Sequence, residues 1–464
     1  MALKRVKILM PMLLLAFGGA APLPATAADT LADVLREKGT ISKEDYIRIQ
    51  ASEEKNAEEK MKKQKDNPSV IAGWDKKGFT FSTVDGLFKT AIQWRFQGRF
   101  TYPDRGDEDS VTDFSDNDES SFELRRVRMK VGGHGYRPWL KYYFEVDWQP
   151  TRSSGDDQND SATRLLDWRI MFEKYQWMQL QIGQWKINYN RERVDSSGKQ
   201  QFVERSIVNR KFTIDRQVGV MLHGHLAPGT LFDSRYYAGV FTGSGRGEAN
   251  DDDQMMYMGR FQWNFLGRDL KWEQSDTQYH EKPAGSLAFA GYTTTGKCTR
   301  WSSGGCGSLG TNNSLGLGFT SDSNAADGQF RVEGLVEEFA FKWAGLSIQH
   351  EYHWKQVKDS GGGIGGVGNS KTNLMGSYAQ VGYFPHYIIP IIPKPLEFAF
   401  RYAFVDPNVS VKDDKLQEFT IATNWFFAGH RNKITMDVSH LTLAQPVGKD
   451  LTEQRFRLQW DVSF

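Results

Sequence analysis

From Leu87 to the C-terminus, hydrophobic and polar residues alternate with a period of two, the period of a strand whose successive side chains face opposite sides. Phe88, Thr90, Ile92, Trp94, Phe96 and Phe100 share one face of the first such segment, and Lys89, Gln93, Arg95, Gln97 and Arg99 share the other. Leu140, Tyr142, Phe144, Val146 and Trp148 alternate in the same way with Lys141, Glu145 and Asp147, and Leu396, Phe398, Phe400, Tyr402 and Phe404 with Glu397 and Arg401. One face suits hydrocarbon and the other suits water. The pattern predicts sixteen strands, over 87–100, 122–131, 139–148, 165–174, 177–186, 216–226, 231–242, 255–266, 269–279, 330–343, 346–357, 374–384, 396–404, 416–427, 431–442 and 455–464. Most have about the ten residues with which a tilted strand crosses a bilayer.

A β-sandwich also alternates, so the connections decide between the two. Short connections (132–138, 227–230, 344–345, 428–430) take turns with long polar ones (101–121, 149–164, 187–215, 243–254, 280–329, 358–373, 405–415, 443–454). Short turns at one end and long loops at the other characterise an outer-membrane barrel, and an even strand number returns both termini to the periplasm. In the last segment Phe456, Leu458, Trp460, Val462 and the terminal Phe464 alternate with Arg457, Gln459, Asp461 and Ser463. Every backbone N–H and C=O in lipid must be paired, so this strand has to close onto the first. The expected fold is all-β: a 16-stranded antiparallel transmembrane β-barrel over 79–464 with a short N-terminal helical periplasmic segment.

The N-terminus adds the route to that membrane. Lys4, Arg5 and Lys7 precede an apolar run from Ile8 to Ala21, and Ala25, Thr26 and Ala27 form a small-x-small cleavage site, which reads as a signal peptide over 1–27. In the following segment, 28–68, Leu31, Val34 and Leu35 and then Ile41, Tyr46, Ile47 and Ile49 recur at helical intervals, with Ser42 as an N-cap. The stretch 51–65 is charged all round, either an exposed helix or a tether. The segment is read as a periplasmic extension that oligomerises or touches the cell wall, or as a solvated linker.

Composition fits the barrel once the faces are separated. Sixty-one aromatic residues coexist with a mean hydropathy of -0.56, because outward girdles and an inward polar wall use both. A formal charge of +1 leaves no nucleic-acid footprint, and two cysteines make no disulfide-dense scaffold. Parity places Lys89, Arg95, Arg99, Arg126, Arg128, Lys130, Lys141 and Arg169 inside with Glu145, Asp147, Asp167 and Glu173, and Glu337 or Glu338 and Glu351 on the opposite wall. A basic wall favours anions because guanidinium and ammonium donors replace lost water; the alternative is a hydrated wall of balanced charge.

The segments FELRRVRMKVGG (122–133), KYYFEVDW (141–148), IGQWK (182–186), FVERS (202–206) and RQVGVMLHG (216–224), taken in order, resemble the phosphate-selective porin O and P family, most clearly over 85–245. The resemblance implies a trimer of 16-stranded barrels whose pores are narrowed by infolded loops and lined by basic residues. It assigns Arg125 and Arg126 to the tandem arginines of the second strand, Asp147 to a lumen aspartate and Arg205 to the arginine of the infolded third loop. Ala91 stands where the family's first strand carries a pore arginine, which leaves phosphate specificity unassigned.

The loop 187–215, entered through Lys186, carries seven Lys or Arg with that residue counted, interleaved with Phe202 and Val203. It is the candidate constriction; the other reading is an external loop docked over a trimer neighbour. The loop 101–121 is acidic and faces lipopolysaccharide in this arrangement, with no EF-hand spacing. Cys298 and Cys306 are eight apart in one loop of an exported chain, where a local disulfide is expected. Enzyme signals are weak: 365–372, GGVGNSKT, misses the phosphate-loop pattern at Ser370, and no zinc-protease or nucleophile-elbow motif occurs. No cofactor or metal is implied. The expected function is a porin for passive diffusion of small anionic solutes, phosphate among them. A barrel sheathing a partner such as an electron-transfer cytochrome, or an outer-membrane hydrolase, stays open as the alternative.

Overall fold

The computed structural model describes Leu35, Lys38 and residues 40–464, apart from 65–69, 76–77, 106–110, 114, 116–117, 149–162, 251–252, 310–329 and 360–370. The chain divides into two units, Met1–Ser69 and Val70–Phe464. The signal peptide, most of the first helical run and the near-miss at 365–370 lie outside the described residues. In the first unit the run from Ile41 and the charged stretch after it continue as one helix, α1 (Lys43–Gln64). The Ser42 hydroxyl accepts from the Asp45 amide at 3.1 Å and donates to the Asp45 carboxylate at 2.7 Å, satisfying a helix-start donor that has no partner within the helix.

The second unit is strand. In chain order it contains β1 (Val70–Asp75), β2 (Gly78–Thr83), β3 (Lys89–Tyr102), β4 (Ser121–His134), β5 (Leu140–Asp147), β6 (Arg164–Tyr175), β7 (Met178–Lys186), β8 (Arg216–Leu226), β9 (Ser234–Phe241) and β10 (Met256–Trp263). There follow β11 (Ala284–Gly296), β12 (Arg300–Ser302), β13 (Gly305–Gly307), β14 (Phe330–Trp343), β15 (Leu346–Asp359), β16 (Lys371–Tyr383), β17 (Leu396–Asp406), β18 (Leu416–Phe426), β19 (Asn432–Leu443) and β20 (Leu451–Ser463). β3–β11 and β14–β20 pair antiparallel with their neighbours, and β20 returns to β3 from Phe456 opposite Tyr102 to Ser463 opposite Arg95. This closes a 16-stranded barrel with no free edge inside it. The hairpin β1–β2 continues the line of β20 along the start of β3, with Phe79 opposite Ile92 and Ser82 opposite Lys89.

The outward face is apolar: Phe122, Phe289, Leu335, Ile421 and Trp460 are each more than half exposed. No helix among the described residues is long and apolar enough to cross a membrane. At Ala344 and Gly345 (φ 49° and 85°) both residues of a two-residue turn have positive φ, as a type I′ hairpin between twisted strands requires.

Two expectations need correction. The segment 269–279 is not a strand; its place is taken by β11, which fell within the loop expected over 280–329. The inward residues of the first half of β11 are Ala284, Ser286, Ala288 and Ala290, all buried. Small side chains leave room for chain inside the barrel, but they erase the charged-against-apolar contrast by which the other strands are recognised. Residues 264–283 thereby become a long connection at the short-turn end, and the sorting of loops is broken there. The second correction concerns the inner wall, which is not uniformly wet. Val332, Val357, Leu374, Val405, Leu416, Leu441 and Leu443 face inward and are buried in one apolar cluster with Ile187, Ile207, Val208 and Phe212 of the third long loop.

Candidate functional site

Residues 187–215 leave β7 and return to β8 through the barrel interior, forming α2 (Arg191–Val194) and α3 (Ile207–Phe212) on the way. α3 lies against β15–β18, where its apolar side chains find the inward leucines and valines. Backbone N–H groups taken out of water need partners, and carboxylates of the far wall supply them. Glu338 accepts from the Arg191 amide at 2.9 Å, Glu351 from the Glu192 amide at 2.7 Å, Asp437 from the Val203 amide at 2.8 Å and Glu418 from the Ile207 amide at 3.0 Å. On the near side Arg95 donates to Ser197 at 3.0 Å. Gly198 permits this approach, since a Cβ there would come within 2.8 Å of the Arg95 guanidinium.

The connection 264–283 enters from the opposite end and meets that loop. Gln274 N donates to the Lys199 carbonyl at 3.0 Å, Gln201 N to Gln274 Oε1 at 2.7 Å, and Lys199 pairs with Glu273 at 3.2 Å. Ser275 and Lys342 tie the same segment to the wall, through Glu397 at 2.9 Å and the Ser275 carbonyl at 2.9 Å. Trp272 stands under two guanidiniums, Arg191 at 4.7 Å and Arg260 at 5.4 Å from the ring centre.

With the interior filled along β14–β20, a cavity of about 430 Å³ lies against β4–β9. Strand register arranges its wall in rows. Lys130, Glu145 and Asp167 are in one row, Tyr143 and Arg169 in the next, then Met171, Gln181 and Met221, and then His223 with Tyr237. Asn188, Val194, Ser196 and Lys199 of the infolded loop and Trp272 form the other side. Seven Lys or Arg and three Asp or Glu line it in all. Two of the acids are held by wall arginines: Arg128 donates to Glu145 at 3.0 Å, and Arg216 to Asp167 at 2.6 Å. The third, Glu173, accepts from Lys141 at 2.5 Å. Among the described residues no carboxylate pairs with Lys130, Arg169 or Lys186; Arg169 lies over the Tyr143 ring at 4.8 Å and Lys186 donates to the Arg193 carbonyl at 3.3 Å.

Of the expected anion-binding set, Arg128, Arg169 and Lys186 line this cavity. The others are placed elsewhere, for electrostatic reasons. Arg95 is clamped by Asp461 (3.1 and 2.7 Å), and Arg99 by Gln459 (3.1 Å) and Glu204. A register shift opposite Gln97 makes Arg125 the extra residue of a bulge, so that it and Arg126 both approach Glu204, at 3.2 and 4.0 Å. Asp147 accepts from Arg128 at 2.8 Å. Arg205 is a brace inside the loop, donating to the carbonyls of Glu192 (2.8 Å) and Asp195 (2.7 Å). Lys89, paired with Asp75 of β1 at 3.7 Å, and Lys141 are half-exposed and do not line the cavity. Sequence reasoning missed Trp272, Tyr237, Arg216 and Arg235; the first was taken for part of a strand, and the last three carried no signal beyond parity on β8 and β9.

At the long-loop end, Cys298 and Cys306 form a disulfide with Cα atoms 5.4 Å apart, closing the hairpin β12–β13 whose Trp301 is buried and donates to the Gly243 carbonyl at 2.7 Å. In the acidic loop, Arg105 gathers Asp118 at 3.1 Å and Glu453 at 2.8 Å. The hydrogen bond from Arg105 holds the Asp118 carboxyl below its usual range.

No curated protein sequence matches the chain. Among solved structures the barrel is similar to the outer membrane channel DcaP of Acinetobacter baumannii, with 11% identity, 81% of this chain and 97% of that one covered, and a TM-score of 0.50. It is similar also to OmpT of Vibrio cholerae in its trimer form (9%, 82% and 100%, TM-score 0.51) and to the anion-selective porin from Comamonas acidovorans (10%, 81% and 99%, TM-score 0.50). At these identities the likeness shows the fold. Phosphate-selective porin O and P is the family description that matches residues 96–444, three quarters of the chain. The chain belongs to the phosphate-selective porin O and P family: it is an outer-membrane β-barrel that forms a channel for small solutes.

Proposed function

We propose that the channel passes small anions by passive diffusion, as a homotrimer with the short-turn end and both termini in the periplasm. The observation that carries this reading is the cavity against β4–β9, lined by seven basic and three acidic side chains, which this reading makes the passage. An anion entering it exchanges hydration for guanidinium and ammonium donors, whereas a cation meets acids already held by arginines and a lysine. The Comamonas porin of similar fold is described as anion-selective, and the Vibrio protein as a trimer, which supports both parts. Phosphate, named in the family's description, is one anion such a passage would admit. The interior is taken up by the chain's own 187–215 and 264–283, which favours a channel over a sheath around a partner. Residues 28–68 fit a periplasmic extension, carried behind a cleaved leader at 1–27.

Reversal potentials of the purified protein in planar bilayers under a KCl gradient test this proposal. Open channels with chloride as the main carrier are expected. A potential of the potassium sign would refute anion preference.

A further inference from the structure

We infer that the passage favours small organic carboxylates over inorganic phosphate, and that Trp272 makes the distinction; this rests on the anion-preferring channel proposed above. Three observations lead there. The first is the fate of the arginines that would strip water from orthophosphate. Arg95 is held by Asp461, Arg99 and Arg125 by Glu204, and Arg128 by Asp147 and Glu145. In the passage, Glu145 and Asp167 occupy the row next to Arg169. A doubly charged phosphate seeks several charge-assisted donors and is repelled by adjoining acids, while one carboxylate is satisfied by a single fork or ammonium. Lys130, Arg169 and Lys186 supply that, and Gln181 Nε2 and His223 Nε2, both without a partner, add neutral donors.

The second observation is size and chemistry. About 430 Å³ falls in the range of ~300–1,000 Å³ of pockets that enclose carbon-bodied ligands, far more than a bare oxyanion fills. Between the cations the lining offers Tyr143, Met171, Met221 and Tyr237, a surface for an apolar body rather than for water.

The third is Trp272. It reaches the passage on the inward-folded 264–283, and the guanidiniums of Arg191 and Arg260 sit at its ring. Two cations on the indole fix its orientation and offset the negative face that would otherwise repel an anion. The half-buried Trp272 also lines the cavity, an apolar group beside the basic rail.

The test is block of the chloride current by benzoate and by phosphate, titrated separately at fixed ionic strength in planar bilayers. Wild type should be half-blocked by benzoate at a concentration about tenfold below that for phosphate, as one aromatic contact allows. Trp272→Ala should remove most of this difference by weakening benzoate alone, and Trp272→Phe should restore most of it. Phosphate blocking at the lower concentration, equal block, no block by either, or a Trp272→Ala shift common to both anions would each overturn the inference. The chloride reversal potential, read in the same membranes, reports separately whether anion preference itself stands.

Discussion

Exchanging Lys130, Arg169 and Lys186 for glutamate is expected to reverse the ion preference of the channel. None of these cations is in an ion pair with a carboxylate among the described residues, Arg128 still holds Glu145 when Lys130 opposite it is exchanged, and the lining changes from seven bases and three acids to four and six. A unit charge about 4 Å from an ion changes its energy by ~1 kcal/mol at the dielectric of water and ~4 kcal/mol where partly buried. Three reversals should therefore move the chloride-to-potassium permeability ratio by at least about tenfold, from above one to below it. The contrast between the variants should be largest in dilute salt and shrink at 1 M, where screening acts within about 3 Å. Reversal potentials at two ionic strengths check both statements. Substituting Arg95, Arg99 and Arg126 instead should change the ratio little and destabilise the barrel more, because each is engaged by Asp461, Glu204 or Gln97.

Glu338→Ala is expected to loosen the infolded loop. Its carboxylate accepts from the amide and guanidinium of Arg191 (2.9 and 3.0 Å) and from both terminal nitrogens of Arg260 (2.9 and 2.8 Å). Removing the acid leaves two buried guanidiniums side by side at Trp272 without the carboxylate they share. Breaking a buried pair in this way costs about 3–5 kcal/mol, a cost that falls on the first turn of the loop because Glu418, Asp437 and Arg95 still anchor the rest. Single-channel records should show flicker and a higher mean conductance, and trypsin should gain access to Arg191 or Arg193, which wild type buries. Glu338→Gln, which keeps the shape and half the acceptors, should lie between.

Much of the barrel was legible because lipid and lumen impose opposite demands on alternate residues. Segments such as Leu396–Phe404 and Arg455–Phe464 carry that contrast in full. The contrast fails at β11, whose inward alanines and serine make room for chain, and in the upper reaches of β16–β19, where Leu374, Val405, Leu416 and Leu441 are inward and apolar. Both exceptions have one cause: part of the interior is protein rather than water. The charges were legible in sign and face, not in engagement. Arg99 meets Glu204, and Arg95 meets Asp461 from the far end of the chain; such pairing is set by closure and infolding, which strand parity does not encode. Arg169 and Lys186 were found by parity and by the loop boundary, while Trp272 was hidden by a plausible alternation, Leu270 and Trp272 against Lys271 and Glu273.

Ions are expected to travel between β4–β9 and the infolded loop. Chloride conductance of Arg169→Cys in planar bilayers, before and after a negatively charged thiol-reactive sulfonate, tests it most directly, since the chain's own cysteines are joined to each other. Modification should cut the current by more than half and shift the reversal potential toward potassium, while Arg99→Cys should respond weakly. An unaffected Arg169→Cys channel beside a blocked Arg99→Cys channel would place the route elsewhere.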